Sequence, residues 1–161
     1  MTGHDYSDLI AAYIVANYGS RGVEVYREVS IGKSIIGKNR KLDILVLCAG
    51  DGFAIECKYQ ETQGTADEKI PYTLDDLAAL QMNGCVAYAG DGFSPGVIHM
   101  LEASELAACC LPAADSLAPG KSTRELDHLL AMHFGWWDIL VAGKKPFALA
   151  GVDLHTRQPA K

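Results

Sequence analysis

The run Lys41 to Cys48, Lys-Leu-Asp-Ile-Leu-Val-Leu-Cys, constrains this chain more than any other segment. Its aliphatic, β-rich residues follow one another almost without interruption, the pattern of a central strand buried on both faces. Asp43 is the one exception. The Asp51-Gly52 pair beyond it supplies the positive φ values of a tight turn, and Phe53 to Tyr59 resumes as an alternating strand, so 41–59 reads as a hairpin. Val23 to Ser30 also alternates, with Val23, Val25 and Val29 against Glu24, Glu28 and Ser30. Three antiparallel strands in a meander are expected.

Helical spacing of Leu9, Ile10, Tyr13, Ile14 and Tyr18 predicts an amphipathic helix over 5–18, with Gly19 as its stop, covering one face of the sheet. A basic loop with glycines spans Gly32 to Asn39. Thr62 to Pro71 reads as a polar loop, and Thr73 with Asp76 has the form of an N-cap opening a second helix. Cys85 to Ala89 is a short apolar strand, and Ser94-Pro95 opens a helix to about Cys110. Pro112 to Lys121 is a connector; Ser122 and Glu125 form a capping box for a last helix through about His133. The pentapeptide Ala-Gly-Asp-Gly-Phe occurs at 49–53 and 89–93, but its flanks differ and two copies make no repeat array. The 161 residues are expected to form a single domain, with a core over about 5–110 and a C-terminal helical extension over about 120–161.

A hydrophobic share of 49% supplies one core, and the longest apolar stretches stop short of a membrane span. The N-terminus lacks a secretory signal, so a cytoplasmic location is expected. Cys48, Cys57, Cys85, Cys109 and Cys110 have no zinc-type spacing and read as reduced thiols. His4, His99, His128, His133 and His155 form no metal triad by spacing, and Trp136 and Trp137 read as core or dimer contacts. The net charge of −6 argues against coating nucleic acid by bulk electrostatics. It does not argue against a local grip: Lys33, Lys38, Arg40 and Lys41 lie between Glu28 and Asp43 with no acid among them.

The strand period sends Glu56 and Lys58 to one face and Cys57 to the other. With the turn at Asp51-Gly52, a register pairing residues whose numbers sum to about 103 sets Asp43 near Lys58 or Tyr59, within reach of Glu56. A lone Glu-x-Lys on a strand is usually a surface ion pair. An aspartate inside an apolar strand, however, is a poor local choice that a function would explain. Two carboxylates make a hard-oxygen site suited to Mg²⁺, and a lysine beside it can orient or deprotonate a water and offset charge growing on phosphorus. The three polar ends are expected on one sheet face within about 8 Å of each other.

The pattern Lys-Leu-Asp43-Ile-Leu-Val … Phe-Ala-Ile-Glu56-Cys-Lys58 resembles the PD-(D/E)XK nuclease superfamily, in which an aspartate on one strand precedes a Glu-x-Lys on the next. The order helix, three-strand meander, helix, strand also fits, over about residues 5–90. The resemblance implies an α/β, restriction-endonuclease-like core: a central mixed sheet, made of the meander plus a further strand, flanked by helices. It implies a DNA endonuclease using Mg²⁺, with Mn²⁺ able to substitute. Asp43 and Glu56 would hold metal, Lys58 would serve the attacking water, and Gln60 matches a polar position that touches substrate or water. Leu42 stands where the family has proline. Members often add an acid from the first helix, for which Asp8 or Asp5 are candidates, with Glu28 on the first strand as the alternative. Lys33, Lys38, Arg40 and Lys41 would contact phosphates. A Gly-Thr-x-x-Glu-Lys-x-Pro run similar to 64–71 in restriction-enzyme-like members would put Thr65 and Lys69 on the DNA backbone. A homodimer through the C-terminal third would serve to cut both strands. A junction resolvase or repair nuclease of the same fold, and a non-catalytic nucleic-acid-binding module, are the alternatives.

Overall fold

Alternating and apolar runs pair in the computed structural model as a five-stranded mixed sheet, and the structure describes residues 1–151. His155 lies outside them. The strands β1 (Glu24–Lys33), β2 (Asn39–Cys48), β3 (Asp51–Tyr59), β4 (Gly84–Ala89) and β5 (Ala107–Cys109) lie side by side in chain order. The first three form the antiparallel meander; β4 and β5 add parallel strands. Parallel neighbours need crossovers, and helices supply them: α2 (Ala66–Ala79) between β3 and β4, and α3 (Pro95–Ala103) between β4 and β5. Helix α1 (Gly3–Tyr18) precedes the sheet, while α4 (Arg124–Phe134) and the short α5 (Trp137–Leu140) follow it. No helix among the described residues is long and apolar enough to cross a membrane.

Period-two alternation divides the core into two layers. Ile44, Val46, Phe53, Ile55, Cys57, Cys85 and Ala87 pack under α1 and α4, against Tyr6, Ile10, Ile14, Leu126 and Leu130. Val86 and Tyr88 point the other way and meet Ile70 and Leu77 of α2 and Leu101 of α3. All five cysteines are free. Trp136 is buried between Tyr18 and Phe134, with ring centroids at 4.9 and 5.1 Å, whereas Trp137 is exposed.

Four local expectations are corrected. The β2–β3 turn is not at Asp51-Gly52 but at Ala49-Gly50, both at positive φ (52° and 79°), so Cys48 pairs with Asp51 and the loop has two residues. Gly52 sits inside β3, where a Cβ would come within 3.1 Å of Met82 Cε; it serves packing rather than the turn. The presumed loop 62–71 is helical from Ala66, and Thr73 is a mid-helix residue whose hydroxyl donates to Lys69 O at 2.9 Å. Pro71 costs one helical bond near the start of α2, a smaller loss than exposing the fully buried Ile70 beside it. The third helix stops at Ala103, and the missed β5 follows, too short and alanine-rich to show period two. No capping box opens α4: Glu125 instead accepts Cys109 N at 2.6 Å, fastening α4 to β5.

Candidate active site

Because β3 pairs with β4 in parallel, Glu56 lies beside Val86 and Lys58 beside Tyr88, which puts both on the face covered by α2 and α3. Across the antiparallel pair Ile44 faces Ile55, where a turn at Asp51-Gly52 would have put Tyr59. One step further in that register, Asp43 comes opposite Glu56 on the same face, since its neighbour Ile44 belongs to the α1 layer. Regular pairing ends there, and Asp43 Oδ2 accepts the Cys57 N–H at 2.8 Å. The short hairpin thus makes the two carboxylates direct cross-strand neighbours.

Their proximity leaves an electrostatic mark. Burial raises Glu56 most, Asp43 raises it further through charge and a shared hydrogen bond, and Lys58 opposes the rise; the outcome is a carboxyl pushed from 4.5 up to about 8. Between those values the folded chain holds a proton that the unfolded chain releases. Stability therefore falls as pH rises across that window, by up to about 1.4 kcal/mol per pH unit. Thermal melts of Glu56→Gln in chelator should lack this slope, so that the variant gains on the wild type from pH 5 towards pH 8. Parallel profiles for the two proteins would contradict the assignment.

Glu56 and Lys58 open into a cleft of about 260 Å³ lined also by Lys38, Asn39, Arg40 and Lys41 of the β1–β2 hairpin and by Lys69, Tyr72, Thr73 and Asp76 of α2. The α2 residues fall three, four and seven positions apart, which places them on one helix face. Among the described residues none of Lys38, Lys41, Lys58 and Lys69 makes a salt bridge. Arg40 differs. Its guanidinium bonds Asp76 through Nη2 at 2.7 Å and Nε at 3.1 Å, with the two side chains only 11% and 17% exposed. That pair cancels the Arg40 charge, and the guanidinium beside Asp76 holds its carboxyl below the usual range. Asp76 also accepts Ile35 N at 3.0 Å. It is the site residue that sequence reasoning missed as such, and a continuous α2 with Asp76 seven positions after Lys69 is the signal that would have found it.

Other expected site residues lie elsewhere. Gln60 is buried away from the cleft, its Nε2 donating to Gly92 O at 2.8 Å and its backbone oxygen accepting Gly92 N at 2.8 Å. A Cβ on Gly90, at φ 104°, would strike Gln60 O at 2.2 Å, so Gln60 and the loop after β4 fit as one clasp. Lys33 bonds Asn39 at 2.6 Å and lines the adjoining cavity, and exposed Thr65 precedes α2 outside the cleft lining. Asp8 pairs with Arg27 at 2.7 Å, Asp5 closes the α1 capping box with Thr2, and Glu28 is exposed on β1 at φ 55°. None of these joins the carboxylate pair: among the described residues no three His, Cys, Asp or Glu side chains gather as a metal-holding group. His4 lies beside Asp8 and His133 beside Asp51, both outside the cleft.

The donor set nevertheless suits a hard divalent cation. Two carboxylates face each other with repulsion that Lys58 offsets only in part, and a cation bound by oxygen ligands and water would relieve it. Asp43 and Glu56 are the residues that would hold it.

A search of curated proteins finds no match. Among solved structures the chain is similar to VC1899 from Vibrio cholerae, at TM-score 0.50 and 16% identity over 82% of this chain and 34% of that one. It is also similar to AF1548, a protein of unknown function (TM-score 0.47, 14% identity, 78% and 64% of the two chains), and to a repair endonuclease from Pyrococcus abyssi (0.32, 16%, 59% and 42%). The likeness to VC1899 is one of fold, and this chain spans about a third of that protein. The family model for the PD-(D/E)XK nuclease superfamily domain matches residues 2–137, which include the meander, the paired carboxylates and the whole cleft lining. With that match and this sheet, the chain belongs to the PD-(D/E)XK nuclease superfamily.

Proposed function

We propose that this chain is a restriction-like endonuclease that hydrolyses DNA phosphodiesters with Mg²⁺. The observation that carries the reading is the facing Asp43 and Glu56 carboxylates, the second of which opens with Lys58 into a cleft walled by lysines. When bound, the cation supplies Lewis-acid stabilisation of phosphate charge and a more acidic water. Asp43 and Glu56 would hold it, and Mn²⁺, with similar preferences, would serve as well. Lys58 orients the attacking water and donates hydrogen bonds where negative charge grows. The water oxygen bonds to phosphorus, the bond to the leaving oxygen breaks, and the water's proton passes to solvent as the leaving oxygen takes one up.

Lys38, Lys41 and Lys69 suit the phosphates on either side of the scissile bond, which balances a local need against the overall charge of −6. Contacts of that kind carry no sequence information. The Lys38→Ala/Lys41→Ala double variant should bind all duplexes more weakly to a similar degree, with a salt slope shallower by about 2 in log–log form. A changed sequence preference on an unchanged slope would contradict this. Cutting both strands would take a second copy, docked through the C-terminal third where Trp137 and Phe147 are exposed; sedimentation with DNA at a twofold palindromic site tests that stoichiometry.

The direct test of function is incubation with plasmid, linear duplex, single-stranded DNA, four-way junction and RNA, each with Mg²⁺ and with chelator. Mg²⁺-dependent nicking or linearisation of plasmid is expected. Cleavage of the junction alone would favour a resolvase, and binding without cleavage of any substrate would make the chain a nucleic-acid-binding module.

A further inference from the structure

The β1–β2 hairpin closes through a β-turn over 34–37, with Gly37 N donating to Ser34 O at 2.9 Å and Ser34 N to Lys38 O at 2.8 Å. The central residues of that turn are Ile35 and Ile36, 48% and 59% exposed. Both are poor choices on local grounds: turn centres favour Gly, Asn, Asp and Ser, and each isoleucine leaves apolar surface in water. The tip is nonetheless held firmly. Asp76 accepts Ile35 N and grips Arg40 with two bonds, so the hairpin is fastened to α2 at two points. Lys33 and Lys38 bracket the isoleucines in sequence, and Ser34, Lys38 and Asn39 also line the cleft that holds Glu56 and Lys58.

A rigid apolar point between ammonium groups, at the rim of a lysine-walled cleft, complements a polymer with charged edges and apolar stacked faces inside. A nucleic-acid duplex is that polymer, and aliphatic wedges between base steps are an established way of opening one. A lipid surface would meet the same lysines but would offer nothing to the cleft that the tip borders.

We propose that Ile35 and Ile36 form a wedge that enters the base stack of a duplex seated in the cleft, so that the favoured substrates are duplexes with weakened stacking, at a mismatch, bulge or abasic site. The inference rests on the nuclease reading above. Prising apart an intact base step consumes binding free energy that a damaged step has already lost.

The test uses the full chain in chelator, so that nothing is cut. Wild type and the Ile35→Ser/Ile36→Ser double variant, changed only at exposed positions, are titrated into a matched duplex and into one with an abasic site. Both duplexes carry 2-aminopurine as a stacking reporter. The wild type should bind the abasic duplex about tenfold tighter than the matched one and brighten the reporter in the matched duplex. The double variant should lose that preference and the brightening, while its affinity for the matched duplex stays close to wild type. Equal binding of both duplexes by the wild type, without brightening, overturns the wedge and leaves the nuclease reading standing; no binding to any duplex likewise overturns the wedge, while the nuclease reading is judged by cleavage with Mg²⁺. Loss of binding to phosphatidylserine vesicles in the variant, with its DNA response unchanged, would make the tip a lipid anchor and also overturn the wedge.

Discussion

Lys58→Ala should lower single-turnover DNA cleavage by about 10²–10⁴-fold while leaving Mn²⁺ affinity nearly intact. Lys58 lies half-buried on β3 with its side chain in the cleft, so truncation opens no core cavity and the fold should persist. The lost ammonium removes donors where charge develops during reaction and hence acts on the chemical step. Glu56→Ala removes a ligand and should lose metal affinity and activity together. The contrast between the two variants separates the two roles. Cleavage by Lys58→Ala at the wild-type rate would reduce the Glu-x-Lys to an ordinary ion pair.

The largest expected effect on stability lies on the other side of the sheet. Asp127 of α4 is buried and accepts three hydroxyls: Tyr13 at 2.7 and 2.9 Å, Tyr18 at 2.5 Å and Thr123 at 2.9 Å. These bonds lock α4 to α1, and both tyrosines are pushed above their ordinary range chiefly by burial. Asp127→Ala leaves the buried Tyr13 and Tyr18 hydroxyls without an acceptor, while Thr123 keeps Gly120 O at 3.1 Å, a loss of about 3–5 kcal/mol. At the size of this chain that corresponds to a fall in Tm of roughly 10 °C, to be read by calorimetry. Below its melting range the variant should bind DNA as the wild type does, because the network and the cleft lie on opposite faces. A change in Tm of only a degree or two would mean that the hydroxyls find water instead.

The division between what the sequence made legible and what it hid follows interaction range. Strand periodicity alone put Glu56 and Lys58 on one face, and the anomaly of an aspartate in an apolar strand pointed to Asp43. The register between them depended on which two residues take positive φ. There the usual Asp-Gly signal misled, because Ala49-Gly50 forms the turn and Gly52 makes room for Met82. The start of α2 was hidden by Pro71, a breaker that burial of Ile70 overrides. With the first half of α2 read as a loop and Asp76 as a capping residue, the helix face from Lys69 to Asp76 could not be seen, and Arg40 counted as a free cation rather than as the partner of Asp76. The Asp127 network joins residues more than 100 positions apart, and no local pattern announces such a pairing.

The central claim is that Asp43 and Glu56 together hold the cation that hydrolysis requires. Crystals grown with Mn²⁺ and a short duplex, with data collected at the manganese absorption edge, test it directly. The account predicts an anomalous peak in contact with both carboxylates, absent from crystals of Glu56→Gln. A peak bound elsewhere, or an empty carboxylate pair beside bound DNA, would contradict it.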